Sequence, residues 1–240
     1  MSQSGFDRRH FLRAAGLSAA ALALAACEGR GPRGSEKVLQ YAERKNELLE
    51  RRLVSHTKMD HGSPGAVIAG DRFPSYHISK TLPAWDPAVR GAWRLEIGGM
   101  VAKPISLSFD DLMRLPTTTQ RVNHFCVEGW TAVAVFNGVR MSEIVALVRP
   151  DTKAQYVDFR SFDDGYHESW DLESATHPQT MVVVGKDGRA LTAAYGAPAR
   201  VHSPVKLGYK NTKYLTRIDF MPERNVGYWS DEGYDWFGGT

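Results

Sequence analysis

Hydrophobic and polar residues alternate along several short stretches of this chain. A period of two residues is typical of β-strands, in which successive side chains point to opposite faces of a sheet. A continuous apolar run is typical of a strand that is buried on both faces. Alternation predicts extended segments at 93–99, 103–107, 121–126, 132–136, 156–161 and 167–170, and an apolar run predicts a buried strand at 181–185.

Helical spacing is found in fewer places. Charged residues interspersed with leucines predict an exposed helix over 36–52, and apolar spacing predicts another helix over 139–147. Ser108 followed by acidic residues is typical of a capped helix start, so a short helix is expected over 108–115. A single helical turn is expected at 172–175.

The first 27 residues have the pattern of an export segment. Arg8 and Arg9 precede an alanine-rich apolar run, which predicts export to the periplasm by the twin-arginine route. The run ends in a sequence that resembles a lipoprotein box, in which Cys27 would be acylated and would anchor the protein to a membrane. An ordinary cleaved signal with an incidental cysteine is the alternative.

Composition bounds the remainder of the chain. The sequence has 240 residues, of which 42% are hydrophobic and 24% are charged, as in an ordinary globular protein. We divide it into a signal peptide with a lipoprotein box at 1–27, a tether with an exposed helix at 28–60, and one domain at 61–240. The formal net charge of +3 is too small to indicate a nucleic-acid partner.

One cysteine, Cys126, remains once the export segment is set aside. A lone thiol in an exported protein cannot form an intramolecular disulfide and is open to oxidation, so a bound partner is expected. A buried cysteine acting as a small hydrophobe is the alternative. Residues 127–130 are irregular, and Asn137-Gly138 predicts a tight turn. The histidines are scattered, with neither an HExxH nor a CxxC pattern, so a zinc site is not indicated.

A second group of chemically informative residues lies at 195–215. Arg200, Lys206, Lys210 and Lys213 occur there within fourteen residues, together with glycines that allow close approach of the backbone. Such a segment suits an anionic phosphate on a small cofactor, to which arginine offers a planar fork of donors. A basic hairpin on the surface is the alternative.

Two motifs resemble the sulfite-oxidase family of molybdopterin enzymes. They are Cys-Val-Glu-Gly-Trp at 126–130 with Phe-Asn-Gly-Val at 136–139, and Gly-Ala-Pro-Ala-Arg at 196–200 with Gly-Tyr-Lys-Asn-Thr-Lys at 208–213. The resemblance implies a mixed α+β, β-rich domain that binds a molybdenum–molybdopterin cofactor, with Cys126 as the thiolate ligand to molybdenum. Longer members continue into an immunoglobulin-like dimerisation domain, which we expect this chain to lack.

The resemblance also assigns residues to the site by position. The cofactor-binding residues that it implies are Tyr76, His77, Cys126, Ser161, Tyr195, Arg200, Lys210, Asn211, Thr212 and Lys213. Glu128 lies near the metal by position and could move protons during catalysis. His124 would share a strand face with the cysteine. It is expected either to take part in the site or to be a packed histidine.

Oxygen-atom transfer is the reaction that the resemblance implies, and the sequence favours reduction of an S- or N-oxide. An acid and two aromatic residues near Cys126 would disfavour a doubly charged sulfur oxyanion. Exported bacterial reductases of protein methionine sulfoxide, in the same family, carry a similar Cys-Val-Glu-x-Trp. The alternatives are sulfite oxidation, hydrolysis by Cys126 with His124 as base, and ligand binding by a non-enzymatic lipoprotein.

The expected partners follow from this chemistry. The substrate would be a small-molecule or protein-bound oxide. The sequence has no CxxCH motif for haem attachment, so electrons are expected from a separate redox partner. A membrane haem protein, a quinol-linked protein or a soluble cytochrome could fill that role.

Overall fold

The computed structural model describes residues 35–54, 57–64, 68, 72 and 74–240. The predicted export segment and lipoprotein box at 1–27 lie outside these residues. The α-helices of the described chain are α1 Ser35–Leu53, α2 Pro87–Arg90, α3 Phe109–Met113, α4 Met141–Val148, α5 Leu172–Ala175 and α6 Tyr228–Asp231. Short 3-10 helices occur at Ala193–Tyr195 and Gly208–Lys210.

Between residues 93 and 186 a strand occurs at each predicted position. The strands of the described chain are β1 Arg94–Gly99, β2 Ile105–Ser108, β3 Thr117–Phe125, β4 Thr131–Arg140, β5 Tyr156–Ser161, β6 His167–Asp171, β7 Met181–Lys186, β8 Arg189–Ala190, β9 Arg200–His202 and β10 Leu215–Met221. However, β3 begins four residues before the predicted start, and β4 ends four residues after the predicted end.

The chain divides into two units, Met1–Leu49 and Glu50–Thr240. The boundary falls inside α1, a helix of 19 residues that coincides with the exposed helix predicted over 36–52. None of the helices in the described part of the chain is both long and apolar enough to cross a lipid bilayer.

The strands of the larger unit form two sheets. One has the order β2-β1-β10-β5-β6, and the other has the order β3-β4-β7-β8, with β9 also paired to β7. β1 and β10 are parallel, with Ile97 opposite Ile218, whereas the other pairs are antiparallel. The first and last strands of this unit therefore lie side by side, and together with the helices the two sheets give a mixed α+β architecture.

β7 lies between two apolar clusters. Val182 and Val184 pack into the cluster that also contains side chains from β1, β10 and α4, whereas Met181 and Val183 pack into the other cluster. A strand with an apolar cluster on each face must be apolar along its length. This arrangement confirms the prediction of a strand that is buried on both faces.

Residues 58–63 cover the outer edge of β3. The Asp60 carboxylate accepts hydrogen bonds from the backbone N–H and the side-chain amide of Asn123, both at 2.8 Å. The Asn123 side chain in turn accepts from the backbone N–H of Ser63 at 3.0 Å. An uncovered edge strand invites pairing with other chains, so this segment protects the strand that leads into the candidate site.

The predicted turn at Asn137-Gly138 is wrong, because both residues lie inside β4. The register of β4 with β7 shifts between these two residues. At Gly138 the neighbouring strand leaves no room for a side chain, since an added Cβ would meet the carbonyl oxygen of Val182 and lie 2.8 Å from the Cα of Val183. The glycine therefore allows close approach of two strands and does not form a hairpin turn.

Gly138→Ala is expected to destabilise the protein by about 1–3 kcal/mol, the usual cost of overpacking an interior. Gly98→Ala in β1 is the matched control, because its Cβ would face only the side-chain ends of Asp219 and Arg217, at 3.3 and 3.4 Å. Chemical denaturation of both variants measures the difference. Equal free energies of unfolding would contradict the close strand approach at Gly138.

Candidate functional site

Cys126 lies at the start of the loop that joins β3 to β4, where Phe125 is paired with Thr131. Its backbone N–H donates to the carbonyl of Trp130 at 2.9 Å, and its own carbonyl accepts from Gly129 at 3.0 Å. Gly129 has a φ of 86°, a left-handed conformation that glycine adopts without strain. The loop geometry thus fixes a partly buried free thiol at the end of a hairpin.

The thiol opens onto a cavity of about 280 Å³. Among the predicted site residues, those on the cavity wall are Tyr76, His77, His124, Cys126, Glu128, Tyr195, Arg200, Asn211 and Lys213. Wall residues that the sequence did not indicate include Ser75, Asp163, Tyr166, Tyr209, Trp229 and Tyr234. The cavity therefore brings together segments that are distant in sequence, and many of its lining side chains are aromatic.

Glu128 is the acid beside the thiol. Its Oε2 accepts hydrogen bonds from the Tyr76 hydroxyl and the Trp130 indole N–H, each at 2.9 Å, and lies 3.7 Å from the Cys126 Sγ. The bonds from Trp130 and Tyr76 lower the pKa of Glu128, so its carboxylate is ionised at neutral pH. Burial raises the pKa of the Cys126 thiol, and the Glu128 charge also favours the neutral thiol. The ionised form of Cys126 would therefore need a nearby cation to stabilise it, and a metal ion bound directly by the thiolate is such a cation.

His124, near the end of β3, is buried, and its Nδ1 lies 3.4 Å from the Nε2 of His202. Burial, with smaller effects of Arg200 and Lys213, lowers the pKa of His124 to about 3. The imidazole is therefore neutral, and so weak a base is poorly suited to deprotonating a thiol whose pKa is raised. This electrostatic environment disfavours the alternative of a cysteine hydrolase.

Arg200 is buried and forms no ion pair with an acid among the described residues. Its guanidinium donates to three backbone carbonyls, that of Asn211 at 3.1 Å and those of Tyr195 and Val201 at 3.4 Å. Burial lowers the pKa of Arg200 to about 10, so the side chain stays charged at neutral pH. A buried charge is costly unless an opposite charge compensates it, and an anionic ligand in the cavity would do so.

Lys213 is a second cation on the same wall. Its ammonium donates to the Ser75 hydroxyl at 3.1 Å and to the Ala194 carbonyl at 3.0 Å. Burial lowers the pKa of Lys213 to about 7; the Arg200 charge also lowers it, and Asp163 opposes the change. An anion close to both cations would favour the charged ammonium. The pair therefore fits the phosphate of a cofactor such as molybdopterin.

The other two lysines of the basic segment form buried ion pairs. Lys210 Nζ lies 2.5 Å from Glu168 Oε2, Lys206 Nζ lies 2.9 Å from Asp171 Oδ1, and all four side chains are fully buried. Neither lysine is part of the cavity wall. The predicted cofactor contact of Lys210 is therefore not supported, because its charge is already used by Glu168. The acids lie 35 and 42 residues away in sequence, too far for a local pattern to reveal the pairing.

Ser161 and Thr212, which were predicted to contact the cofactor, are likewise not on the cavity wall. Ser161 Oγ accepts from the Asp163 backbone N–H at 2.9 Å, and Thr212 Oγ1 lies 3.5 Å from the carbonyl of Phe159. Asn211 is on the wall, but its side-chain amide bonds to three backbone groups at 2.7 to 3.0 Å. The structure thus gives Asn211 a role in shaping the wall.

Residues 74–79 form one side of the cavity and carry Tyr76. Near one end of this segment the Ser75 hydroxyl donates to a backbone carbonyl, and at the other end the Ser79 hydroxyl donates to the Asp163 carboxylate. Ser75 and Asp163 therefore hold the segment in place. Little in the sequence indicates either role, since Asp163 belongs to an Asp-Asp-Gly stretch that predicts only a turn.

Comparisons with known proteins agree with this geometry. Residues 81–229 match the family described as oxidoreductase molybdopterin binding domain. The chain is 42% identical over 149 residues to "Putative protein-methionine-sulfoxide reductase subunit YedZ1" of Azospira oryzae, and the alignment covers 62% of this chain and 56% of the relative. The chain thus spans about half the length of that curated relative.

A solved structure shows the same fold. The sulfane dehydrogenase SoxCD from Paracoccus pantotrophus is similar with a TM-score of 0.52, at 23% identity, over 55% of this chain and 38% of that chain. This likeness concerns the fold alone, and it confirms the predicted α+β domain of the sulfite-oxidase type. Because the family match extends over more than half of the sequence, the chain belongs to the oxidoreductase molybdopterin binding domain family, and its cofactor is molybdopterin.

Proposed function

We propose that this oxidoreductase reduces an S- or N-oxide by oxygen-atom transfer. The observation that carries the proposal is the ionised Glu128 carboxylate, which lies 3.7 Å from the Cys126 thiol. A doubly charged sulfur oxyanion such as sulfite would be repelled there, whereas a neutral oxide would not. The 42% identity to a relative named as a protein-methionine-sulfoxide reductase subunit supports the same direction of catalysis.

The surroundings of the carboxylate favour a neutral substrate as well. Tyr76 and Trp130, which donate to it, present aromatic rings to the cavity. Arg160 could have supplied a positive charge, but it lies 3.0 Å from Asp158 and 3.5 Å from Asp219 and is not on the cavity wall. The cations that do line the wall, Arg200 and Lys213, are assigned to the cofactor.

The residues of this chain would have separate roles in the reaction. Cys126 would hold molybdenum through its thiolate, and Arg200 and Lys213 would hold the phosphate of the pterin. When bound, the molybdenum–molybdopterin group supplies oxygen-atom transfer and two-electron chemistry. Glu128 is placed to move a proton at its Oε2, and the balanced reaction for a sulfoxide is R₂SO + 2e⁻ + 2H⁺ → R₂S + H₂O.

The electrons would come from a separate redox partner, either a membrane haem protein, a quinol-linked protein or a soluble cytochrome. The word subunit in the name of the YedZ1 relative supports an assembly of more than one chain. The paired Arg8 and Arg9 support export by the twin-arginine route to the periplasm, and the sequence around Cys27 supports a lipid anchor.

Purified enzyme from molybdenum-replete cells is expected to reduce methionine sulfoxide or dimethyl sulfoxide with a reduced dye. Cys126→Ser should lower this activity at least about 100-fold without unfolding the protein, since a hydroxyl is a poor ligand for a soft metal site. Cys27→Ser is the matched control and should keep the activity. Steady-state assays with sulfoxides and with sulfite decide whether the enzyme reduces oxides or oxidises sulfite. Efficient sulfite oxidation without sulfoxide reduction would overturn the proposal.

Lys213→Met is expected to stabilise the cofactor-free protein while lowering its pterin content after expression. Because burial lowers the pKa of Lys213 from 10.5 to about 7, the folded state binds fewer protons than the unfolded state between these values. Wild-type stability should therefore rise with pH across this window, and the variant should lack that rise. At pH 6 the variant should be more stable by on the order of 1 kcal/mol.

Chemical unfolding at two pH values and pterin analysis measure the two effects of Lys213→Met. The exposed Lys103 provides the control, and Lys103→Met should change neither quantity. A Lys213→Met protein with an undiminished pterin content would contradict the assignment of Lys213 to the phosphate.

Replacing Arg8 and Arg9 by lysine is expected to leave the precursor in the cytoplasm, because the twin-arginine exporter reads the paired arginines. Cys27→Ala should instead be exported without incorporating a labelled fatty acid. Cell fractionation with immunoblotting measures export, and fatty-acid labelling measures acylation. Normal export of the lysine variant, or undiminished labelling of Cys27→Ala, would show that the corresponding motif is not used.

A further inference from the structure

Helix α1 presents an apolar stripe to solvent. Val38, Leu49 and Leu53 are 66%, 56% and 74% exposed. Ala42 is exposed as well. Val38, Ala42, Leu49 and Leu53 occupy positions i, i+4, i+11 and i+15, which lie on one side of a helix that has 3.6 residues per turn. Exposed apolar side chains gathered on one side of a helix mark a contact with a membrane or another molecule.

Charged residues are distributed unevenly around the same helix. Lys45 lies seven residues after Val38, in line with the stripe between Ala42 and Leu49, and Arg52 lies seven residues after Lys45 at the edge of the stripe. The Lys45 ammonium is 5.4 Å from the ring centre of Tyr41, which is itself 64% exposed. The basic side chains and an aromatic ring therefore lie in or beside the apolar stripe.

Acidic residues occupy the other side of α1. Glu43, Glu47 and Glu50 follow their own i, i+4, i+7 spacing, which separates them from the apolar stripe by helical geometry. The face that carries the stripe thus combines apolar, aromatic and basic side chains, with the acids turned away from it. Such a distribution is complementary to a surface with an apolar interior and negatively charged groups at its boundary with water.

We propose that α1 lies on an anionic lipid surface, with its apolar stripe among the acyl chains and with Lys45 and Arg52 at the phosphate groups. Long basic side chains can bury their methylene stems while their charges reach the headgroups. A second copy of the chain fits less well, because two stripes packed together would bring the basic residues of both copies close to one another.

The position of α1 in the sequence suits this location. Cys27 precedes Ser35 by eight residues, and an extended chain spans at most about 3.6 Å per residue, so an acylated Cys27 would keep the start of α1 within roughly 30 Å of the bilayer. A lipidated cysteine in a lipoprotein box already anchors a chain stably, because it carries more than one acyl chain. Helix α1 would add a separate contact with the same surface, and this contact requires neither acylation nor the proposed activity.

Vesicle binding tests the proposal independently of catalysis. Every variant carries Cys27→Ala and the same N-terminus, so neither an acyl chain nor the export segment can account for a difference between variants. Leu49→Glu places an acid within the stripe, whereas Gln40→Glu adds the same charge on the other side of the same helix. Co-sedimentation is measured with phosphatidylcholine vesicles that contain either no anionic lipid or roughly 30% phosphatidylglycerol.

We expect Leu49→Glu to weaken binding to the anionic vesicles about tenfold or more, because a buried leucine is lost from the interface. Gln40→Glu should bind nearly as well as its parent. Lys45→Gln combined with Arg52→Gln should weaken binding roughly tenfold on anionic vesicles, with little change on neutral ones. Circular dichroism checks that each variant keeps its helix.

Two results would overturn the proposal. One is equal binding of Leu49→Glu and Gln40→Glu to the anionic vesicles. The other is a lipid-independent dimer, seen by sedimentation velocity, that Leu49→Glu dissociates; this result would assign the stripe to a second copy of the chain. Sulfoxide reductase activity enters neither result, so failure of this proposal and failure of the proposed function can be told apart.

Discussion

The burial of Arg200 and the partial burial of Lys213 on a cavity wall, with no ion pair to an acid in the described part of the chain, form the constraint on which the rest of the site depends. Buried charges are costly unless they are compensated. The same fold compensates Lys206 and Lys210 with buried carboxylates. The two structural lysines are thus paired with acids, whereas the charges of Arg200 and Lys213 remain available to an anionic ligand. Leaving these two charges uncompensated lowers the stability of the cofactor-free state.

The paired lysines also position the cations that face the cavity. Lys210 is fixed by Glu168, and Asn211 next to it bonds to three backbone groups, one of which is the carbonyl of Lys206. The carbonyl of Asn211 in turn accepts from the Arg200 guanidinium. The basic segment therefore consists of a rigid internal frame and a cationic wall, although its sequence shows only a run of similar charges.

Local structure could be predicted from the sequence because alternation is a local property. The predictions at 156–161 and 167–170 agree with β5 and β6 to within one residue. Pairing between distant segments has no such signal, so neither the parallel pairing of β1 with β10 nor the acid opposite Lys210 could be foreseen. The turn predicted at Asn137-Gly138 is wrong for the same reason, since close packing against β7 determines the conformation of this dipeptide.

The site could be predicted where a motif carried its residues. Cys126, Glu128, Arg200 and Lys213 belong to the two motifs, and the structure places all four around one cavity. Asp163, by contrast, belongs to no motif, and its role as an anchor of residues 74–79 depends on a contact between side chains 84 residues apart. Motifs therefore identified the groups that face ligands, whereas the groups that hold the walls in place required the structure.

The electrostatics of the cavity suggest how one site can accept an anionic cofactor and still favour a neutral substrate. The pKa of Glu128 is lowered by hydrogen bonds from Trp130 and Tyr76, whereas that of Lys213 responds to burial, Arg200 and Asp163. The carboxylate and the cations thus act on different parts of the cavity. A cofactor with a phosphate at one end and a metal at the other would be oriented by this division, with its phosphate at the cations and its metal at the thiol. The space beside the thiol then faces a carboxylate, and a neutral oxide is the substrate class that meets no like charge there.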